Sequence, residues 1–486
     1  MITPPEISWL AIAPDLVLAL GAAAVLLVDV QWKPRPRVLG WVVGVTLALA
    51  LGFSIVQWWG AFDAMNAGDS EARIAFSGLI FMDGFAVFAR IALLVTTALG
   101  VTGGWKFVVS LGRRGAEALA LVLLATAGFS LMVASNNLVM LFLGLEVGSI
   151  ALYVLAGLSR ERPESDEAAI KYFLLGSFAS AVFVYGVALI YAGTRHFEIL
   201  EIRAFLGDFI LTDPAVVYIG IGLVIAGLGF KVSAAPFHSW APDVYQGAPA
   251  GLVGYMAAVA KIAGFAALAR VLLTAVDDLD LTWLPVVAAI SAFSMLLGSV
   301  LALVQGDVRR MLAYSGVAHA GFILTGVVGG SPDGILVYLA VYAVQLVGSF
   351  AVVAVVSGAD GAGSPLDDYR GLARRSPLLA ASFTVLLLGM GGLPLTSGFV
   401  AKFGVFTDAW SQGFEWLVVL AVVASVVAFA FYIRVIVVMY MDDSDGEVAV
   451  SVGSARWVLA VAVGVTILWG IFPTSLLDLA ADALPL

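Results

Sequence analysis

The stretch "GLGFKVSAAPFHSWAPDVYQGAP" runs from Gly227 to Pro249, and an apolar run from Val216 to Gly229 leads into it as the body of a membrane helix. Within two turns it adds Lys231, Pro236, His238, Pro242, Asp243 and Pro249. Proline removes a backbone donor and clashes with the preceding turn, so a helix breaks there. At membrane depth a break is tolerated only where the freed backbone groups meet protein or water. A lysine beside such a break can hydrate and exchange a proton. Lysine suits that task because burial disfavours its charge and a neighbouring carboxylate restores it.

The rest of the chain places this segment in a membrane. Of 486 residues, 62% are hydrophobic and 12% charged, with a mean hydropathy of +1.05; a soluble protein carries about 25% charged residues. Apolar runs of roughly 18 to 25 residues recur along the chain, each long enough to cross the hydrocarbon core. They are continuous rather than alternating, which excludes a barrel. Met1 to Pro14 lacks a basic region, so no cleavable signal peptide is expected. The absence of cysteine excludes disulfides, iron–sulfur clusters and thiolate metal sites. The net charge of −10 sits mostly in loops.

The expected fold is an all-α polytopic membrane protein with fourteen transmembrane helices, at roughly 14–31, 38–58, 79–103, 116–134, 136–158, 168–192, 214–235, 249–274, 283–304, 309–330, 334–357, 378–395, 416–440 and 455–472. The seventh and twelfth continue past breaks, to about Gln246 and Trp410. Loops after odd-numbered spans, or the span ends beside them, hold fifteen basic residues, among them Lys33, Arg113, Arg160, Arg310, Arg374 and Arg456. The opposite loops hold only Arg73, Arg195 and Arg203. This bias predicts both termini on the non-cytoplasmic side.

An internal repeat is visible. "EVGSIALYVLAG" (Glu146–Gly157) aligns with "SGVAHAGFILTG" (Ser315–Gly326), and "GSF" recurs at Gly176–Phe178 and Gly348–Phe350. The pattern predicts an N-terminal three-helix segment (1–115), a first five-helix repeat (116–274), a second (283–440) and a C-terminal helix (455–486). An odd number of helices per unit inverts the second copy in the membrane.

Six basic residues fall outside the loops: Arg90, Lys171, Lys231, Lys261, Arg270 and Lys402. Lys171 and Arg270 lie near helix ends and are expected to snorkel. Arg90 is deeper, with Asp83 as a candidate partner. Glu146 lies about 15 Å into its span and Lys261 about 18 Å, at 1.5 Å per residue. Lys231 and Lys402 lie near the middle of broken helices. Each mid-membrane charge costs about 2.5–3.5 kcal/mol. One glutamate cannot neutralise three lysines, so a purely structural ion pair does not account for the set. His238 and His319 extend it: each alone reads as a satisfied polar residue, but His319 lies mid-span, where a relay needs a group.

Four stretches carry a family resemblance: "LEVGSIALYVLAG", "AIKYFLLGSFASAVFVYG", "FKVSAAPFHSWAPDVYQGAPAGLVGYMAAVAKIAGF" and "GGLPLTSGFVAKF". Together they resemble the subunit N family of proton-pumping NADH:quinone oxidoreductase, respiratory complex I, over nearly all of the chain after the first three helices. The glutamate-and-lysine pattern is similar to that of sister subunits and of multisubunit cation/proton antiporters. The resemblance implies an antiporter-like, proton-translocating subunit of an oxidoreductase in a bacterial inner (cytoplasmic) membrane. It implies no catalytic residue, metal or cofactor in this chain, with NADH, FMN, iron–sulfur clusters and quinone in partner subunits. Implied partners are other membrane-arm subunits, including a sister antiporter-like subunit and small membrane subunits, and lipids, but no nucleic acid. By motif match Glu146 is the fifth-helix glutamate, Lys231 its seventh-helix partner, Lys261 the connecting lysine of the eighth helix and Lys402 the residue of the exit half-channel. Lys171 matches a sixth-helix lysine near the pair. The second break, Gly-Gly-Leu-Pro-Leu-Thr, departs from the more proline-rich turn expected there.

The expected mechanism is two half-channels joined at mid-membrane by Lys231, Lys261, His319 and Lys402. The first rival is a subunit of a multisubunit sodium/proton antiporter, which uses the same charges to couple two ions. The second is a haem-binding electron carrier using His238 and His319.

Overall fold

The computed structural model describes residues 8–67, 74–159, 161–209, 211, 213–358, 361, 363–443 and 452–483; Arg73, Arg160 and both chain termini lie outside the described residues. The chain opens with α1 (Trp9–Trp32) and α2 (Pro36–Ala67), then a two-stranded hairpin of β1 (Ile74–Ala75) and β2 (Ile80–Phe81). There follow α3 (Gly84–Gly103), α4 (Trp105–Ser110), α5 (Arg114–Val133), α6 (Leu138–Ala156), α7 (Pro163–Thr194) and α8 (Ile199–Asp208). The middle of the chain forms α9 (Pro214–Lys231), α10 (Trp240–Gly247), α11 (Ala250–Arg270), α12 (Asp280–Leu303), α13 (Val308–Val328) and α14 (Pro332–Val356). The last third forms α15 (Leu372–Arg375), α16 (Pro377–Gly391), α17 (Ser397–Ser411), α18 (Glu415–Met441), α19 (Ala455–Ile471) and α20 (Thr474–Ala481). Among the described residues, 12 helices are long and apolar enough to cross a membrane. Taking α19 and α20, bent by 87°, as one span makes 13. This is an all-helical polytopic membrane protein.

Local chemistry sets the helix starts. Pro163, Pro214, Pro332 and Pro377 each occupy a first turn, where the missing donor costs nothing. Asn137 caps α6 by accepting from the backbone N–H of Val139 at 2.9 Å, and Asp307 caps α13 by accepting from that of Arg310 at 3.0 Å. Asp83 caps α3 through Ala86 at 2.9 Å. The third helix therefore begins later than the sequence pattern indicates, because the preceding apolar residues pair as strands.

Small residues bring the helices together, as membrane packing demands. A methyl group at Gly186 of α7 would lie 2.7 Å from the carbonyl oxygen of Gly220 in α9, and one at Gly298 of α12 would lie 2.4 Å from the backbone nitrogen of Ala318 in α13. α11 and α13 form the buried centre, and α1, α2, α7 and α18 present large apolar side chains outward.

Two backbone straps have the same pattern in different parts of the chain. The N–H of Leu138 donates to Phe197 O at 2.9 Å, and that of Ile199 to Asn136 O at 2.6 Å. Correspondingly, Val308 donates to Ser364 O at 2.8 Å and Leu366 to Gly306 O at 2.9 Å.

Two expectations for the basic residues are corrected. Arg90 pairs with Asp15 at 2.7 Å rather than with Asp83, and also donates to Gln57 Oε1 at 3.0 Å. The reason is directional: Arg90 faces α1 and α2, whereas Asp83 at the start of α3 faces α11. Arg270 does not snorkel. It is 1% exposed and holds Asp83 through two bonds, at 2.6 and 2.8 Å, with its guanidinium 4.1 Å from the Phe81 ring centre. Such a fork adds geometric specificity to charge.

Removing Asp83 leaves a buried guanidinium without its anion, which costs about 3–5 kcal/mol. Asp83→Ala is therefore expected to lower the thermal unfolding midpoint in detergent clearly, and Asp83→Glu to lower it less. A midpoint equal to that of the parent protein for Asp83→Ala would show that the pair does not hold α3 to α11.

Candidate functional site

Glu146 lies on α6 and accepts a short hydrogen bond from the Ser180 hydroxyl of α7. One turn on, Ser149 accepts from the Lys231 ammonium at 2.8 Å. Lys231 closes α9 and is 4% exposed. Its position at the helix C-terminus favours a cation, and its ammonium lies 4.7 Å from the ring centre of Phe129 and 5.9 Å from that of Tyr172. Glu146 and Lys231 make no direct ion pair among the described residues; both meet α6 within one turn, Glu146 as part of it and Lys231 through Ser149.

After Lys231 the chain leaves the helix, and Ser233 takes a left-handed conformation, φ 57°. The freed carbonyl of Val232 accepts from Lys261 Nζ at 2.7 Å. The same ammonium donates to Ser233 Oγ at 2.9 Å and to the carbonyl of Gly316, in α13, at 2.9 Å. An ammonium has three donors, and all three are used. Lys261 thus ties the end of α9 to α13.

His319 follows Gly316 by one turn. Its Nδ1 meets the Tyr338 hydroxyl at 2.9 Å and its Nε2 the Tyr432 hydroxyl at 3.4 Å, while the Tyr342 ring stacks on it at 4.3 Å. Tyr432 in turn shares a short hydrogen bond with Ser315. With both ring nitrogens engaged, His319 is not set up as an axial haem ligand.

Lys402 on α17 reaches back to the end of α16. It donates to the carbonyl of Gly391 at 2.9 Å and to Ser425 Oγ at 3.3 Å. Its ammonium lies 4.4 Å from the ring centre of Phe322, which packs edge-on to His319 at 5.7 Å. A row therefore runs from half-buried Glu146 through the buried Lys231, Lys261, His319 and Lys402. At two places in it a lysine accepts the task of pairing a helix-end carbonyl, Val232 O by Lys261 and Gly391 O by Lys402.

The other two candidates stand apart. Lys171 is half-exposed in a polar cleft of about 370 Å³, bonded to Glu167 at 2.6 Å and Asp243 at 2.7 Å; Arg310 reaches the other oxygen of Asp243 at 2.8 Å. Next to Lys171, Tyr172 stacks on Trp240 at 4.4 Å and has its ring centre 5.9 Å from the Lys231 ammonium. His238 is half-buried, with its ring 6.3 Å from Tyr314, and contacts none of the lysines.

Sequence spacing alone does not single out the hydroxyl groups of the row. Ser149 is legible in retrospect as the i+3 neighbour of Glu146, and Tyr338 and Tyr342 as an i, i+4 pair on one face. Ser180, Ser425 and Tyr432 come from distant helices and have no local signal.

Residues 135–428 match the family described as NADH:quinone oxidoreductase/Mrp antiporter, TM. NADH-quinone oxidoreductase subunit N of Parafrankia sp. (strain EAN1pec) is 40% identical, over 99% of this chain and 96% of its own. The chain belongs to the NADH-quinone oxidoreductase subunit N family. A chain of respiratory complex I from Thermus thermophilus with bound aureothin is 31% identical, with a TM-score of 0.80 over 96% of this chain and 98% of that one. A chain of the Mrp complex from Dietzia sp. DQ12-45-1b, 20% identical with a TM-score of 0.83 over 98% of this chain and 97% of that one, shares the fold. The antiporter-like fold of this subunit N family member thus has counterparts in both kinds of complex.

Lys231 bonds to Ser149, one turn beyond Glu146 on α6, so the two charges are near enough for a coupling to be tested. A double-mutant cycle of Glu146→Gln and Lys231→Met, read from unfolding midpoints, is expected to give a coupling of about 0.5–3 kcal/mol. Additive effects would place the two residues in separate environments.

Proposed function

We propose that this chain is the proton-translocating, antiporter-like membrane subunit of an NADH:quinone oxidoreductase. Protons pass through two half-channels joined at mid-membrane by Glu146, Lys231, Lys261, His319 and Lys402. Lys171 stands with Asp243 at the mouth of the first half-channel, and His238 lines the break beside it. The observation that carries this reading is Lys261, whose single ammonium links the end of α9 to the turn of α13 that precedes His319.

In this reading α9 with α10, and α16 with α17, are each one broken span, which brings the count to fourteen. The five-helix units are 116–274 and 283–440, flanked by 1–115 and 455–486, and the second is inverted. The paired straps at Leu138–Phe197 and Val308–Ser364 support that symmetry. The basic-residue bias supports both termini on the non-cytoplasmic side of a bacterial cytoplasmic membrane. The electron carriers, NADH, FMN and iron–sulfur clusters, and quinone belong to partner subunits, and the chain assembles with other membrane-arm subunits, a sister antiporter-like subunit among them.

The energetics are consistent. Moving one charge through about 180 mV needs about 4 kcal/mol. Bringing Glu146 into direct contact with Lys231 and parting the two again would change the energy by about 3–5 kcal/mol, enough to drive a proton toward Lys261. The driving motion comes from the partner subunits.

Lys402 gives the direct test. Lys402→Ala is expected to leave assembly intact and to lower proton pumping, and with it NADH oxidation by quinone, about tenfold, the effect of some 1.4 kcal/mol on the barrier. Lys402→Arg keeps the charge, but a guanidinium does not release its proton, so it is expected to be as impaired as alanine. An arginine variant that pumps at the parent rate would defeat the relay.

The antiporter alternative rests on a likeness of fold. Proton uptake into sealed vesicles is expected to be unchanged when choline replaces sodium, and a dependence on sodium would favour the alternative.

A further inference from the structure

A cavity of about 570 Å³ opens at the end of the bundle that carries the connection from α1 to α2. Arg35 and Arg37 beside the start of α2, Trp105 and Lys106 at the start of α4, Val355 at the end of α14 and Ser454 before α19 line it. Three cations thus border one space, and no carboxylate is among its described lining residues. The side chains of Arg35, Arg37 and Lys106 are exposed and make no ion pair or hydrogen bond among the described residues. Trp105 is held against α2, where a methyl group at Gly40 would lie 2.7 Å from its ring. Tryptophan occupies membrane interfaces in this manner, its apolar body packed and its N–H toward the polar side.

The cavity is the mouth of a groove. α2 and α19 both pack on α3 but make no substantial contact with each other among the described residues, so one face of α3 lies open between them. That face is Phe88, Ile91, Val95, Ala98 and Thr102, spaced by three and four, on a helix that is otherwise largely buried. From Thr102 to Phe88 it runs about 20 Å at 1.5 Å per residue, more than the roughly 15 Å depth of one leaflet. Its far end widens into a hollow of about 350 Å³ bordered by Ile55, Trp58, Phe88, Val95, Val344 and Trp469. A basic cavity and an apolar channel of leaflet length are therefore continuous along α3.

We propose that this groove is a binding site for one anionic phospholipid, its phosphate held by Arg35, Arg37 and Lys106 and its acyl chains laid along α3. Basic pockets between membrane helices take anionic headgroups, and here the charge and the apolar surface have the same order as in the lipid. A zwitterionic headgroup brings a cation among three cations with no carboxylate to receive it. A free phosphate uses the cavity but leaves the apolar face of α3 uncovered. The bound lipid offsets the repulsion of the three side chains and fills the seam between α2 and α19. It thereby joins the N-terminal helices to the rest of the bundle. The inference goes beyond proton transfer and does not depend on it, because binding rather than pumping is its readout.

The test is a titration of the full chain in detergent with phosphatidylglycerol or phosphatidylcholine. One-to-one adducts are counted by native mass spectrometry, and the unfolding midpoint is followed in parallel, since a ligand of the folded state raises it. The parent chain is expected to take one phosphatidylglycerol, with a higher midpoint, and to bind phosphatidylcholine at least tenfold more weakly. Arg35→Gln with Lys106→Gln is expected to weaken phosphatidylglycerol binding about 25-fold, at about fivefold for each charge removed. Val95→Trp keeps every charge and fills the channel, and is expected to weaken it at least tenfold. Arg113→Gln, an exposed basic residue outside the cavity, is expected to change nothing. Equal binding of the two lipids, or equal effects of the double variant and Arg113→Gln, would mean a nonspecific lipid shell and overturn the site. Normal binding by Val95→Trp, or displacement of the lipid by millimolar inorganic phosphate, would make the cavity a phosphate site alone and overturn the lipid assignment. The assembled complex is expected to show the same shift in midpoint with phosphatidylglycerol. Its loss there, with retention in the free chain, would mean that a partner subunit covers the groove, and would overturn the proposal for the working complex.

Discussion

Everything at the centre of this protein depends on how a backbone carbonyl freed inside a membrane finds a donor. Val232 O and Gly391 O are released where α9 and α16 end, far from bulk water. Each is met by a lysine ammonium, Lys261 at 2.7 Å and Lys402 at 2.9 Å. The arrangement answers two problems at once, since a buried ammonium and an unpaired carbonyl are each expensive alone. A lysine bound this way is held by dipoles, not by a fixed anion. In the proposed relay such a lysine can give up its proton, which a carboxylate partner at contact distance would oppose.

The ion pairs at the margin of the structure behave differently. Arg270 with Asp83, and Arg90 with Asp15, join guanidinium to carboxylate at direct contact. Together with the bond from Arg90 to Gln57, these pairs brace α1, α2, α3 and α11. In the proposed reading, the chain uses arginine for permanent charge and lysine for exchangeable charge. That division of labour is readable in residue identity once the partners are known.

Much of this was legible from sequence. Long apolar runs fixed the class of fold because no other pattern satisfies backbone groups in lipid. The prolines at 236 and 394 marked where regular helix stops, and the buried charges stood out by their cost. Two kinds of information were missing. Direction around a helix decided that Arg90 turns toward Asp15, and periodicity in a uniformly apolar span does not reveal which face is which. Association between distant helices decided the roles of Ser180, Ser425, Tyr342 and Tyr432. A serine or tyrosine is unremarkable in a membrane helix until its neighbour is known, so no rule of spacing singles these out. Residues 199–208 form a helix, α8, between spans, too short and too polar to register as one.

The stack of Tyr172 on Trp240 has a consequence of an electrical kind. Tyr172 follows Lys171 in the chain, its ring centre lies 5.9 Å from the buried ammonium of Lys231, and it stacks on Trp240 at 4.4 Å. A membrane that stores energy as voltage fails if a conductor in it is open to both faces together. In the proposed reading, this pair of aromatic plates is the insulator of the lysine row on the side of Lys171. Trp240 is also tethered, through its indole N–H, to the carbonyl of Phe230 at 3.0 Å, one residue before Lys231. In the proposed reading, a shift of the end of α9 carries Trp240 along with the charge beside it, so that insulator and charge move as one part.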